Sequence, residues 1–203
     1  NGNLQVVDSW FHHNENGILV GDGATTTVEI IRSAFSYNGN PTYAGTISPA
    51  HNLYVNKVAS LTVTDSLFHG VRTNHELKSR AEATTILNSR FVDGPDSQAS
   101  YSIDLPNGGI ARIEGNQIVK GPMAVNRHII HFGGEAVPTW PGSRLDLVGN
   151  LIINQREAGA TALFNQSRDA GNLANPAAMI GNTFYNVPEL HQTVFGPYDL
   201  TLD

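Results

Sequence analysis

The sequence predicts an all-β chain wound as a right-handed parallel β-helix, a single-stranded solenoid of about seven to eight coils. Three observations point there: one eight-residue pattern recurs seven times, its apolar positions alternate with period two, and the copies lie one coil length apart.

The pattern reads apolar, any, apolar, any, any, Ser or Asn, any, Phe or Ile. It fits Leu4 to Phe11, Val28 to Phe35, Leu61 to Phe68, Thr84 to Phe91, Ala111 to Ile118, Leu145 to Ile152 and Ala177 to Phe184. The Ser/Asn position is held by Ser9, Ser33, Ser66, Ser89, Asn116, Asn150 and Asn182, with spacings of 24, 33, 23, 27, 34 and 32 residues. The alternating apolar residues point inward, the Ser/Asn turns a corner by bonding backbone, and the aromatic re-enters the core. Period two excludes helical repeats. A leucine-rich repeat needs a denser Leu/Asn consensus, and a propeller needs four strands per period.

Composition narrows the function classes. Charged residues make up only 15% of 203, and Gly is frequent at 20 copies, which suits strands and tight turns. With no cysteine, neither a disulfide scaffold nor a thiolate metal site can form. A net charge of −6 argues against nucleic acid as a partner, because phosphate binding needs a basic face. No stretch reaches the length of a membrane span.

A further short strand aligns in four successive coils: His51 to Asn56, His75 to Arg80, Tyr101 to Pro106 and His128 to Gly133. Leu53, Leu77, Ile103 and Ile130 then stack inside, followed by Val55, Ser79, Leu105 and Phe132. Parity places three columns outside. They are Asn52, Glu76, Ser102 and Ile129; then Tyr54, Lys78, Asp104 and His131; then Asn56 and Arg80. A slip by one residue would bury unpaired charge at several kcal/mol, so this register predicts Lys78, Asp104 and His131 in one solvent-accessible groove. Insertions at Asn40 to Ala50, Gly94 to Ala99, Gly133 to Ser143 and Gln166 to Pro176 read as loops walling that face.

Most of the polar repeat has a structural explanation. The Ser/Asn column hydrogen-bonds along a corner, the Phe column is core, and Asp22 in Gly-Asp-Gly marks a turn. The segment Asn74-His75-Glu76-Leu77-Lys78-Ser79-Arg80 differs, because it crowds ionisable groups onto one strand without a salt-bridge periodicity. Neighbouring coils add His51, Asn52, Tyr54, Tyr101, Asp104, Asn107, His128 and His131. A stacked His/Tyr ladder accounts for His51, His75, Tyr101 and His128 as readily as substrate binding does, whereas Lys78, Asp104 and His131 together favour chemistry. Lys78 and Arg80 can neutralise a uronate carboxylate and so acidify its C5 proton, which a Lys, His or Tyr then removes. β-Elimination cleaves such a polymer, and reprotonation from the other face epimerises it. Glu76 with Asp104 is the pair that hydrolysis would use instead.

By its repeats the whole chain resembles the pectate-lyase-like superfamily of right-handed parallel β-helix proteins. Its blocks His51-Asn52-Leu53-Tyr54-Val55, His75-Glu76-Leu77-Lys78-Ser79-Arg80-Ala81 and Tyr101 to Gly109 are similar to those of bacterial β-helix proteins described by fold alone. Lys78-Ser79 is similar to part of the basic motif of alginate-lyase and chondroitinase-type enzymes. That resemblance implies a Lys base and an Arg acid beside calcium, but no acidic calcium cluster stands out here, so no metal ligand is named.

The expectation is one domain over residues 1–203 without an N-terminal cap, secreted or periplasmic and monomeric. It would act as a lyase or C5-epimerase on an acidic polysaccharide or oligosaccharide. Catalysis falls to Lys78, Arg80, His131, Asp104 and Glu76, and substrate binding to His51, Asn52, Tyr54, His75, Tyr101, Asn107 and His128. The alternatives are a glycoside hydrolase using Glu76 and Asp104, and a non-catalytic glycan-binding module of surface or tailspike type.

Overall fold

The computed structural model describes residues 2–40, 50–135, 139–194 and 200–202. Three parallel sheets run along a solenoid, and the described residues contain no helix. The first sheet stacks Leu4–Val7, Gly23–Ile31, Val58–Thr64, Ala83–Leu87, Ile110–Glu114, Arg144–Val148, Ala177–Ile180 and Leu200–Leu202. The second stacks Trp10–His12, Ala34–Ser36, Leu67–His69, Arg90–Val92, Gln117–Lys120, Leu151–Asn154 and Thr183–Tyr185. The third contains Ile18–Val20, Leu53–Val55, Leu77–Ser79, Ile103–Leu105, His128–Gly133, Thr161–Gln166 and Glu189–Thr193.

The recurrent pattern therefore spans two strands of each coil, bent at the Ser/Asn. Its register holds residue for residue: Leu4, Val28, Leu61, Thr84, Ala111, Leu145 and Ala177 pair in sequence across the first sheet. Phe11, Phe35, Phe68, Phe91, Ile118, Ile152 and Phe184 do the same across the second. Phe35, Phe68 and Phe91 are fully buried, with ring centroids 5.0 and 4.7 Å apart and planes within 3°.

The bend has a backbone cause. The residue before each Ser/Asn (Asp8, Arg32, Asp65, Asn88, Gly115, Gly149 and Gly181) adopts positive φ between 44° and 67°, a left-handed kink that turns the chain from the first sheet into the second. The Ser/Asn side chain then binds the next coil. Ser9 N–H donates to Ser33 Oγ, Ser33 N–H to Ser66 Oγ, and Ser66 N–H to Ser89 Oγ, each at 3.1 Å. Ser89 N–H donates to Asn116 Oδ1 at 2.8 Å, Asn116 N–H to Asn150 Oδ1 at 3.0 Å, and Asn150 N–H to Asn182 Oδ1 at 2.9 Å. Backbone donors that the bend removes from the sheet ladder are thereby satisfied.

The third sheet carries the expected columns. Leu53, Leu77, Ile103 and Ile130 pair in register and are fully buried, and Tyr54, Lys78, Asp104 and His131 pair in register on the opposite side. Parity fails one residue earlier. Asn52, Glu76, Ser102 and Ile129, expected to face outward, are wholly buried. They lie at the corner between the second and third sheets, so two consecutive residues such as Glu76 and Leu77 face inward before strict alternation begins. The alternation argument holds only along an extended strand and cannot be carried around a bend.

Of the expected insertions, residues 41–49 and 136–138 lie outside the described residues. Gly94 to Ala99 makes a turn whose strand Gln98–Ala99 pairs with Thr73–Asn74. In the Gln166 to Pro176 insertion, Asp169 Oδ1 accepts the Gly171 and Leu173 N–H groups at 2.8 and 2.9 Å. The Gly133 insertion departs through a residue at φ +85°, where an added Cβ would lie 2.3 Å from Ser167 backbone atoms, so glycine is required.

Candidate functional site

The site is built on the outward column of the third sheet. Neighbouring coils lie one strand spacing apart, so the in-register pairs Lys78 with Asp104 and Asp104 with His131 bring three titratable groups into direct contact. Lys78 Nζ lies 2.9 Å from Asp104 Oδ2, and His131 Nδ1 lies 2.7 Å from Oδ1. A residue from an adjacent column, His75, brings Nε2 within 3.2 Å of Oδ2. Asp104 is thus ringed by an ammonium and two imidazoles.

These side chains do not lie in an open groove. Asp104 is 0% exposed, His131 4% and Lys78 7%, which corrects the expected solvent-accessible surface. The cover comes from elements that strand alternation leaves out. Glu135, delivered by the Gly133 insertion, ion-pairs with Lys78 at 2.7 Å and with Arg80. Tyr101 and Phe164 stack on His131, with centroids 4.6 and 5.6 Å away. Gln166 Oε1 sits 3.0 Å from His131 Nε2. Access is retained at the margin, where the Arg80 side chain is 20% and that of Glu135 44% exposed.

Arg80 organises that margin. Its Nε donates to Tyr54 Oη at 2.9 Å, its Nη1 to Asn107 Oδ1 at 2.7 Å, and its carbonyl accepts Trp140 Nε1–H at 3.1 Å. Both Lys78 and Arg80 lie over the Tyr54 ring, 5.8 and 5.9 Å from its centroid.

Electrostatics assign protonation. Burial alone would raise the Asp104 carboxyl, but His75, His131 and Lys78 outweigh it and hold the group well below the usual carboxylate range. Burial works against the Lys78 charge, yet Asp104 and Glu135 more than compensate and hold its amine above the ordinary value. A lysine held charged at neutral pH offers no lone pair, which weighs against the base role that the resemblance implies for Lys78.

The imidazoles divide by their hydrogen bonds. His75 Nδ1 accepts the Tyr101 N–H at 3.1 Å, which puts its proton on Nε2, facing Asp104. Burial, opposed by Asp104 and assisted by Lys78, pushes its pKa down to about 4. His51 Nδ1 likewise accepts the His75 N–H at 3.2 Å, and burial followed by the charge of His75 takes it to about 2. His131 is oriented the other way. Its Nδ1 meets Asp104 Oδ1 at 2.7 Å and its Nε2 meets Gln166 Oε1 at 3.0 Å, so both ring nitrogens face oxygen. Asp104 thereby fixes the orientation of the ring, and the Gln166 side chain occupies Nε2.

The aromatic ladder is continuous. His51 and His75 stack at 4.9 Å, His75 and Tyr101 at 5.1 Å, while His128 lies 6.5 Å from Tyr101 and stacks on Phe164 at 4.2 Å. His128 sits toward its far end, with Nε2 2.9 Å from Gln192 Oε1.

Lys78, Arg80, Asp104, His131, Tyr54, His51, His75, Tyr101 and Asn107 are therefore brought together on one side. Glu76 and Asn52 are not. Asn38 Nδ2 donates to Asn52 Oδ1 at 2.7 Å, Asn52 in turn donates to Glu76 Oε2, and Glu76 Oε1 accepts the Val71 N–H at 3.0 Å, all inside the solenoid. Glu76 thus serves an interior network, apart from the contacts of Asp104, and the hydrolytic pair is not formed.

Glu135, Gln166, Phe164 and Trp140 were missed because loops or later coils supply them. Phe164 could have been found by extending the His131 column one coil, since the two pair in register. Among the described residues, no group of three or more His, Cys, Asp or Glu side chains is arranged to hold a metal ion.

The described residues define an all-β solenoid of stacked parallel sheets with a charge-compensated Lys–Asp–His cluster on its third face. Comparison of the chain with protein-family profiles, with curated proteins and with solved structures finds no match.

Proposed function

We propose that the chain is a right-handed β-helix protein of pectate-lyase-like type that acts on an acidic, uronate-containing glycan, as a lyase or C5-epimerase, in a secreted or periplasmic setting and as a monomer. The observation that carries the reading is Glu135: one carboxylate bridges Lys78 and Arg80 at the exposed margin. A substrate carboxylate in that position would meet the same two cations, and their charge would stabilise the enolate that forms when C5 loses its proton. In this reading His131, oriented by Asp104, is the base once substrate displaces the Gln166 side chain from Nε2, with Tyr54, Asn107 and Trp140 lining the approach.

The test is a panel of uronate polymers, read by ultraviolet absorbance of unsaturated product and by proton exchange at C5 in deuterium oxide. The expected result is one or the other signal on at least one polymer, falling about a hundredfold or more in His131→Asn. Neither signal on any polymer would overturn the enzymatic reading, and undiminished turnover in His131→Asn would overturn the assignment of the base.

A non-catalytic glycan binder is favoured by a separate observation. An exposed aromatic run crosses the second sheet's outward side: Trp10 lies 4.1 Å from His12, His13 5.4 Å from Tyr37, and Tyr37 5.0 Å from His69. Trp10 is 64% exposed, and such a strip suits sugar stacking. Binding of neutral oligosaccharides that Trp10→Ala abolishes, without turnover, would favour this second reading.

A further inference from the structure

The solenoid interior holds a second ionisable cluster that the glycan reading does not use. Asp93 follows the strand Arg90–Val92, and Lys120 ends the strand Gln117–Lys120 on the next coil. Because Val92 pairs with Val119, the two residues are cross-coil neighbours in one column. Lys120 Nζ is 3.8 Å from Asp93 Oδ2, and both side chains are 0% exposed. The adjoining corner contributes Glu76, equally buried.

The cluster is poorly compensated as an ion pair. Asp93 Oδ2 accepts the Gly121 N–H at 3.1 Å, but among the described residues Asp93 Oδ1 has no hydrogen-bond partner. Lys120 Nζ donates to the Ser100 carbonyl. Asp93 and Lys120 face one another in a water-poor interior, where isolated charge is costly. Burial pushes the lysine down to about 8 and raises both carboxyls, Glu76 further through the neighbouring charge of Asp93. Each shift favours the neutral form, which is the form that reacts: a free amine beside a protonated acid.

We infer that Lys120 and Asp93 condense to an intramolecular amide, cross-linking two neighbouring coils. The Nζ lone pair attacks Asp93 Cγ, and the new N–C bond forms as a C–O bond breaks. The departing hydroxyl leaves with one proton from Nζ, so one water is lost and no oxidant or reductant is needed. The product replaces a buried amine and a buried acid with one neutral amide, whose remaining N–H can still donate to the Ser100 carbonyl. In a chain without cysteine it supplies a covalent staple.

The test is intact mass spectrometry of the full chain followed by tryptic mapping. The bond makes the protein about 18 Da lighter than its sequence and joins residues 91–112 to 113–127, because trypsin cannot cut after an acylated Lys120. Full mass with free peptide 113–120 would overturn the proposal. So would a water loss confined to residues 91–112, since that is a cyclic imide at Asp93-Gly94 with Lys120 unmodified. Lys120→Arg should carry the full mass. The wild-type map stands whether or not the variant folds.

Discussion

Acid should weaken the fold through His75, and the size of the effect follows from its surroundings. The ring is buried between His51 and Tyr101, with Nδ1 occupied by a backbone N–H and Nε2–H facing Asp104, so a second proton has no place of its own. Its pKa of about 4 lies below the ordinary 6.5. At about 1.4 kcal/mol per pH unit, that difference amounts to about 3 kcal/mol. Because the folded-state value is depressed, this stability is fully present above pH 6.5 and is lost as pH falls through 4. By pH 5 the loss from this ring should reach about 2 kcal/mol. Glu76 and Asp93, whose carboxyls are raised by burial, act in the opposite sense, so the wild-type slope alone is not diagnostic. His75→Asn isolates the ring, since its Oδ1 can still accept the Tyr101 N–H while nothing titrates. Urea unfolding at pH 7 and pH 5 should show the variant less stable at pH 7 but less acid-sensitive than wild type by about 2 kcal/mol. Equal pH dependence in the two proteins would refute the assignment of a neutral, buried His75.

Asp104→Ala should cost about 3–5 kcal/mol in chemical denaturation, because it removes the buried carboxylate that Lys78 and two imidazoles share. Phe68→Ala should cost about 3–5 kcal/mol in the same assay, since the ring is fully buried between Phe35 and Phe91. Gly149→Ala should cost about 1 kcal/mol although its new Cβ would meet nothing within 4 Å, the cost lying in φ +60° alone. Glu135→Gln should tighten binding of an acidic oligosaccharide in calorimetry, because Lys78 and Arg80 lose their internal counter-charge.

The solenoid was legible because its repeat is a physical necessity at every coil. Inward residues must alternate, and the bent backbone must have its donors satisfied, so Ser9 through Asn182 and Phe11 through Phe184 recur in register. The kink was legible too, in Gly115, Gly149 and Gly181, but Asp8, Arg32, Asp65 and Asn88 hide the same left-handed position behind ordinary side chains. Within the candidate site, alternation along the third sheet placed Lys78, Asp104 and His131 together. It failed at Glu76 and Asn52, where the corner turns consecutive residues inward. Glu135 escaped notice because only the path of an insertion brings it over Lys78. Asp93 and Lys120 lie two positions beyond the Phe/Ile of their repeats, 27 residues apart, and extending the pattern by those two positions would have paired them.

The measurement that bears most directly on the proposed site is a crystal structure of the chain with a short oligouronate. The account predicts a sugar carboxylate between Lys78 and Arg80, the Glu135 carboxylate displaced, and C5 facing His131 Nε2. An oligouronate bound only along Trp10, His13 and Tyr37, with Glu135 still bridging the two cations, would contradict it.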